Sequence, residues 1–284
     1  MHAHPDSRGG DVDTVPRELR YDCEPSRLPP PLAEQLAELS CDPAAREFLA
    51  TVGAAPHGRL RTALYRGLRR VMSDFDAYGL LDMYRVHLLS TTQLRRLLQL
   101  EDGATVATWL DIGAGNGAAI DAARPLLQQL HVTEASAVLR RKLASQGARV
   151  HAVDLCEQPI DTPQGGFDVV SCLNVLDRCL YPRTMLQHAR DALAPGGRLI
   201  IALALPLRPH VDMGGHSVDQ EQPLPVHDDD LDWEACAARL WEQLLAPAGL
   251  QLSSLSRAPY ISQGDAGGAL HVLDDALFVC RAVV

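Results

Sequence analysis

Apolar and polar positions alternate with two different rhythms along the chain. Between about residues 29 and 104, apolar residues recur at i, i+3 and i+4, the spacing of one helix face. The segments "PLAEQLAELS" (31–40), "DPAAREFLATV" (42–52) and "RLRTALYRGLRRVMSDF" (59–75) carry that period, as does "STTQLRRLLQL" (90–100). In the last of these Ser90 is the expected N-cap, its hydroxyl accepting a bond from a first-turn N–H. An α-helical cap over 29–104 is predicted. From residue 107 short apolar runs alternate with helical stretches. "ATWLDIG", "LHVTEAS" (130–136), "ARVHAVDL" (148–155), "FDVVSCLNVL" (167–176) and "RLIIALAL" (198–205) read as strands. "AAIDAARPLL", "AVLRRKLASQ" and "PRTMLQHARDALAPGG" (182–197) read as the helices between them. A helix over 233–250 and two strands, "LQLSSLSRAP" and "LHVLDDALFVCRAV", close the chain. Strands alternating with helices predict an α/β domain over 105–284, its parallel sheet covered on both faces.

Two stretches lack either rhythm. Residues 1–28 are rich in Gly, Pro, Asp and Arg and read as a disordered or loose tail. Residues 206–232 are polar and rich in Pro and Gly, too long for a plain connector, so a functional or mobile loop is expected.

Composition narrows the classes. Aromatics make up only 5% of the 284 residues, which predicts a core of Leu, Val and Ala. A formal net charge of −10 argues against nucleic acid and anionic membranes as partners. The seven cysteines are odd in number and show no C-x-x-C spacing, so neither a zinc site nor a disulfide framework is expected. Reduced thiols point to an intracellular, cytoplasmic protein. "MHAHPDSRGGDVD" has no apolar core of a signal peptide, and "LIIALAL" (199–205) is far too short for a membrane span.

The candidate chemistry begins at "WLDIGAGNGAAI" (109–120). No Gly-Lys-Ser/Thr follows the turn, which excludes a phosphate loop, and G-x-G-x-G is not the G-x-G-x-x-G of dinucleotide sites. Gly113 and Gly115 let the backbone pass close beneath a ligand. Asp111, at the strand end, would attract a cationic amino group and repel a pyrophosphate. Glu134 ends the second strand, where a carboxylate accepts ribose hydroxyls, a feature shared with nicotinamide sites. Asp154 is placed for an adenine amino group, or equally for an Asx turn. Together these favour S-adenosyl-L-methionine (SAM), with S-adenosyl-L-homocysteine as product. The strand order, closing with two strands around a helix, resembles the seven-stranded class I SAM-dependent methyltransferase fold.

"DVVSCLNVLDRCLYP" (168–182), taken with "LDIGAGNG", "VTEAS", "IIALALPLRPHV" and "RAPYISQGD…HVLDDALFV", goes further. From about residue 34 onward the chain resembles the DREV family, which includes a protein-histidine methyltransferase. The resemblance implies methyl transfer from SAM to the pi nitrogen (Nδ1) of histidine in His-x-His sequences with a small x. It carries Asp111, Gly113 and Glu134 to cofactor positions, and Asn174, Asp177 and Tyr260 to the substrate pocket, with Asn174 also beside the cofactor. By spacing alone Asn174 and Asp177 are as well explained by a local helix start, and Tyr260 by core packing. Asp265, Asp274 and Asp275 either add acidity to a substrate groove or are solvated surface. Two departures stand out. Leu207, Arg208 and His210 occupy a stretch expected to be more aromatic, and Asn116 replaces an acid in the glycine loop.

The chemistry is self-consistent. A neutral imidazole has one N–H and one lone pair, and only the lone-pair nitrogen can attack a sulfonium methyl. A carboxylate or amide oxygen accepting the other N–H selects the tautomer and raises nucleophilicity. His2-Ala3-His4 is itself a His-x-His and a candidate for self-methylation. Two other expectations remain open: a small-molecule methyltransferase with an enclosed pocket, or a catalytically silent SAM-binding scaffold.

Overall fold

A computed structural model describes residues 19–53, 58–213, 216–225, 231–263 and 270–283. The N-terminal region holds α1 (Pro30–Ala33), α2 (Pro43–Gly53), α3 (Arg59–Leu68), α4 (Asp74–Leu80), the short strand β1 (Val86–His87) and α5 (Thr91–Leu97). Next come β2 (Val106–Ile112), β3 (Leu127–Thr133), α6 (Ala137–Ser145), β4 (Arg149–His151), β5 (Phe167–Leu173), α7 (Pro182–Asp191) and β6 (Leu193–Ala204). A hairpin of β7 (Val211–Asp212) and β8 (Ser217–Val218) precedes α8 (Trp233–Leu240), which continues as a π-helical turn, Trp241–Leu245. Two long strands, β9 (Leu250–Gln263) and β10 (Leu270–Ala282), complete the order.

One sheet runs β1-β9-β10-β6-β5-β2-β3-β4. β2, β3, β4, β5 and β6 pair in parallel, and β10 lies antiparallel between β6 and β9. Without β1 this is the expected seven-stranded class I order. Successive side chains on a strand face opposite sides. Trp109, Val169 and Ile200 therefore enter one core layer with Leu94, Leu97 and Leu126. Their neighbours Leu110, Val170 and Leu199 enter the other, with Met185, Leu186 and Leu240. Burial on both faces is why these strands read as continuous apolar runs. The strand order reverses between β2 and β5, which opens a crevice at their carboxyl ends.

Several elements differ from expectation. The helix over 31–40 stops at Ala33, because the following backbone pairs with β9 instead: Ala37 N–H donates to Leu255 O (2.8 Å) and Leu255 N–H to Gln35 O (2.8 Å). The segment 59–75 splits into α3 and α4, the second capped by Ser73. No α-helix follows the glycine loop. Asp121–Leu126 is a 3-10 segment containing Pro125, whose ring clashes with the i−4 carbonyl and lacks an N–H. β3 consequently starts at Leu127, and Glu134 lies just past it. The strand at 148–155 contracts to three residues, while β6 begins at Leu193, before the Pro-Gly-Gly expected to end a helix. β1 joins β9 as an unforeseen eighth strand.

Residues 19–28, read as tail, are packed. Tyr21 and Leu28 are buried, Arg257 donates to Asp22 O (2.9 Å), and Glu24 N–H donates to Glu234 (2.8 Å). Within the 206–232 stretch, Leu207, Val211 and Leu224 are buried. Residues 1–18 with His2 and His4, residues 226–230 of that stretch and Asp265 lie outside the described residues.

Candidate active site

The glycine loop leaves β2 with Gly113 at φ +68°, the left-handed region that favours glycine. A Cβ there would meet Val175 Cγ2 at 2.9 Å. Gly113 N–H donates to Thr133 Oγ1 (3.2 Å), and Gly115 N–H to Glu134 Oε2 (2.8 Å). Glu134 also accepts from Ser136 N–H (2.7 Å), so one carboxylate joins the loop to the start of α6. Burial raises its pKa, and the backbone N–H donors oppose that. Asn116 donates to Tyr84 O (2.8 Å) and accepts from Ala118 N–H (3.0 Å). A carboxylate could not make the first of these bonds, so the departure at 116 ties the loop to the N-terminal region.

Asp111 is buried behind the loop. Trp109 Nε1 donates to Ser171 Oγ (2.9 Å), and the Ser171 hydroxyl donates to Asp111 Oδ1. Burial pushes Asp111 up to about 7, the charge of Glu134 adding to it and the Ser171 bond opposing it.

Beyond the loop lies a cleft of about 620 Å³ whose lining includes Gly113, Glu134, Asp154, Val175 and Met185. Asp154 Oδ1 accepts from Cys156 N–H (2.8 Å), the Asx turn weighed as the alternative for it. The residue nonetheless borders the cleft. A backbone stripped of Cβ atoms, two carboxylates and an apolar wall suit a ligand with a ribose, a purine and a cationic tail.

On the far side of β5 the chain turns at Asn174, itself at φ +56°. Asn174 N–H donates to Ala202 O (2.9 Å). Its side-chain Oδ1 accepts from Ala204 N–H (3.1 Å) and its Nδ2 donates to Asp275 Oδ2 (2.7 Å). Asp275 pairs with Ala204 across β10 and β6 and is completely buried. Burial pushes it up to about 8, with the charges of Asp177 and Asp274 adding and the Asn174 bond opposing. Asp177 lies in a 3-10 turn, Leu176–Arg178, and is 4% exposed. Arg178 Nε donates to its Oδ2 (3.0 Å), and burial raises its pKa against that pull. Asp177 Oδ1 and Asp275 Oδ1 are both buried and have no hydrogen-bond partner.

Tyr260 on β9 pairs with Leu273, two residues from Asp275 and on the same sheet face. Its hydroxyl is 3.4 Å from that of Tyr84, and its pKa is raised by burial and by Tyr84. A second cleft, about 640 Å³, is lined by Asp177, Arg178, Pro206, Arg208, Pro259 and Leu273 among others. Arg178 borders both clefts. Asp177 borders the second cleft only, beside Arg178, and Asn174 lines neither cleft.

Sequence reasoning missed Ser171, Tyr84 and Arg178, and it weighed Asp275 only as groove acidity or solvated surface, whereas Asp275 is buried against Asn174. Asp275 alone left a trace, a charge inside an apolar strand pattern. Asp274, half-buried, forms an ion pair with Arg257 (2.5 Å) and is not part of this cluster.

A family model described as DREV methyltransferase matches residues 20–282. The chain belongs to the DREV methyltransferase family. Among solved structures it is similar to the N-methyltransferase NodS from Bradyrhizobium japonicum WM9 in complex with S-adenosyl-L-homocysteine. That match has 20% identity, 77% of this chain, 98% of that chain and a TM-score of 0.45. It is also similar to the DhpI–SAH complex, at 17% identity, 79% of this chain, 97% of that chain and a TM-score of 0.47. Both likenesses are loose. Family membership, the strand order and the glycine loop together make the DREV protein a class I methyltransferase whose cofactor is SAM. No helix among the described residues is long and apolar enough to cross a membrane.

Proposed function

We propose that this DREV protein methylates the pi nitrogen of histidine in protein or peptide His-x-His sequences with a small x. The observation that supports this best is the buried carboxylate oxygen without a partner, Asp177 Oδ1, in the turn that follows the clamped Asn174. A buried acceptor without a donor costs roughly 1–3 kcal/mol. A substrate that brings an N–H and then becomes cationic recovers that cost.

SAM supplies an electrophilic methyl group on a sulfonium. Gly113, Gly115, Glu134 and Asp154 would hold it, and Asp111 would bias the site toward a cationic tail. Asp177 is the residue assigned to the imidazole. Arg178 favours its anionic form, and its free oxygen accepts the tau N–H, which leaves the pi lone pair free to attack. The same carboxylate stabilises the imidazolium as it forms and takes its proton. Asn174 is immobilised by Ala204 and Asp275 and contributes a fixed dipole. Tyr260, through its hydroxyl or its ring, orients the substrate. On this reading His2-Ala3-His4 is also a substrate, in cis or in trans. Peptide mass spectrometry that found residues 1–20 unmodified after incubation with SAM would remove that part.

The test compares labelled methyl transfer to a peptide of repeated His-Ala-His with transfer to its Ala-Ala-His counterpart. Transfer to the first alone is expected. No transfer to either, with SAM binding intact by calorimetry, would favour a small-molecule acceptor or a non-catalytic scaffold.

A further inference from the structure

We propose that α3 and the turn after it, residues 59–71, form a basic amphipathic surface that docks this protein on membranes rich in anionic lipid. These residues line no part of the SAM cleft, and the inference is independent of the methyl acceptor. A surface helix needs one apolar stripe, the one facing its own core. In α3 that stripe is already used. Tyr65 is buried, its ring 4.2 Å from that of Tyr78, and Ala77, Met83, Leu68 and Met72 complete the small core beneath it. Leu60, Leu64 and Val71 form a second apolar stripe. Their spacings of four and seven return them to one helical face, and they are 75%, 49% and 78% exposed.

Charge and shape select what covers this stripe. The segment carries five arginines, Arg59, Arg61, Arg66, Arg69 and Arg70, and no acid occurs from 59 to 73. Arg61, Arg66, Arg69 and Arg70 are exposed, and Arg69 lies over the Tyr65 ring, 5.6 Å from its centroid. Two acids, Asp82 and Asp121, line a cleft with Arg61, and they are paired to Lys142 and Arg124. Asp76, on α4, is bound by the Ser136 hydroxyl. The net charge of −10 belongs to the whole chain, and salt screens it beyond about 8–10 Å, so the local arginines decide what approaches this face. A Cβ added at Gly58 or Gly67 would meet nothing within 4 Å. The face is thus an open ridge without the walls of a peptide groove. Apolar side chains along a ridge, with guanidinium groups beside them, match a flat anionic bilayer. Leu60, Leu64 and Val71 enter the boundary of the acyl chains while the arginines meet the lipid phosphates.

The experiment sediments the full-length protein with vesicles of phosphatidylcholine alone and of a two-to-one mixture with phosphatidylglycerol. Partition onto the mixture is expected to be at least about ten-fold stronger, and to weaken as salt is raised. The combined variant Leu60→Ser, Leu64→Ser, Val71→Ser should lose at least about ten-fold in binding to the mixture. The combined variant Arg61→Gln, Arg66→Gln, Arg70→Gln should lose the preference for phosphatidylglycerol. Both should keep the melting temperature and SAM affinity of the wild type, which shows that they fold. Leu60→Trp, which keeps an interfacial apolar ring, should bind the mixture as well as the wild type does. Absence of binding to the mixture, equal partition onto both vesicles, or binding unchanged by the serine substitutions would each overturn the proposal. Arginine-dependent binding to polyglutamate without binding to vesicles would assign the face to an acidic protein and overturn it as well.

Discussion

At the scale of single residues, the site depends on groups held where their neighbours dictate their charge. Asp275 holds a proton at neutral pH because it is buried, and it positions Asn174 through one hydrogen bond. Its folded pKa of about 8 lies above the ordinary aspartate value of 3.8. The native state therefore retains a proton that the unfolded chain releases, and stability falls as pH rises through that window. Asp275→Asn keeps a neutral side chain there. Thermal melts between pH 5 and 8 should show a smaller loss with rising pH for this variant than for the wild type. Gly113→Ala would place a methyl group against Val175 at a positive φ. That strain costs about 1–2 kcal/mol, and the SAM dissociation constant should rise about ten-fold or more by calorimetry. Asn174→Ala removes a fixed dipole and should lower kcat by about 10²–10³ with little change in SAM affinity.

At the scale of elements, the parts of the fold legible in the sequence were those decided locally. The glycine loop followed from residue type. The cap of α5 followed from Ser90, and the structure adds Gln93 as its reciprocal partner in a capping box. Ser90→Ala should cost about 1 kcal/mol in denaturant unfolding. What was not legible depends on pairing across distance. Asp275 sits in "LHVLDDALFV", where periodicity gives two faces but not which of them lies against Asn174; the register Asp275–Ala204 decides that. Residues 35–37 look helical until β9 takes their backbone groups. The strands β3 and β4 hide a comparable feature. His131 Nδ1 and His151 Nε2 are 2.8 Å apart, with stacked rings. Burial, then His151 and Arg149, push His131 down to about 4 from 6.5. The unfolded chain binds that proton first as pH falls, so stability present above about 6.5 is lost toward 4. The melting temperature should drop between pH 7 and 5. The drop should be shallower in His131→Phe, whose ring would pack near Phe167.

At the scale of the whole molecule, the N-terminal region is continuous with the methyltransferase sheet. β1 extends it, Leu36 bridges to Leu255, and Leu32 is fully buried in a core layer. Leu28 and Leu32 each gain roughly 1.5–3 kcal/mol from burial. A chain starting at residue 41 should therefore melt well below the full protein in a calorimetric scan. This continuity also places Tyr84 against Tyr260 and under Asn116, so the helical region touches both β9 and the glycine loop. The measurement that bears most directly on the central claim starts with a His-Ala-His peptide methylated by wild-type protein and by Asp177→Ala. The product is hydrolysed, and pi- and tau-methylhistidine are separated by chromatography and mass spectrometry. Pi-methylhistidine from the wild type, reduced at least 10²-fold in the variant, is the expected result. Tau-methylhistidine, or equal yield from Asp177→Ala, would contradict it.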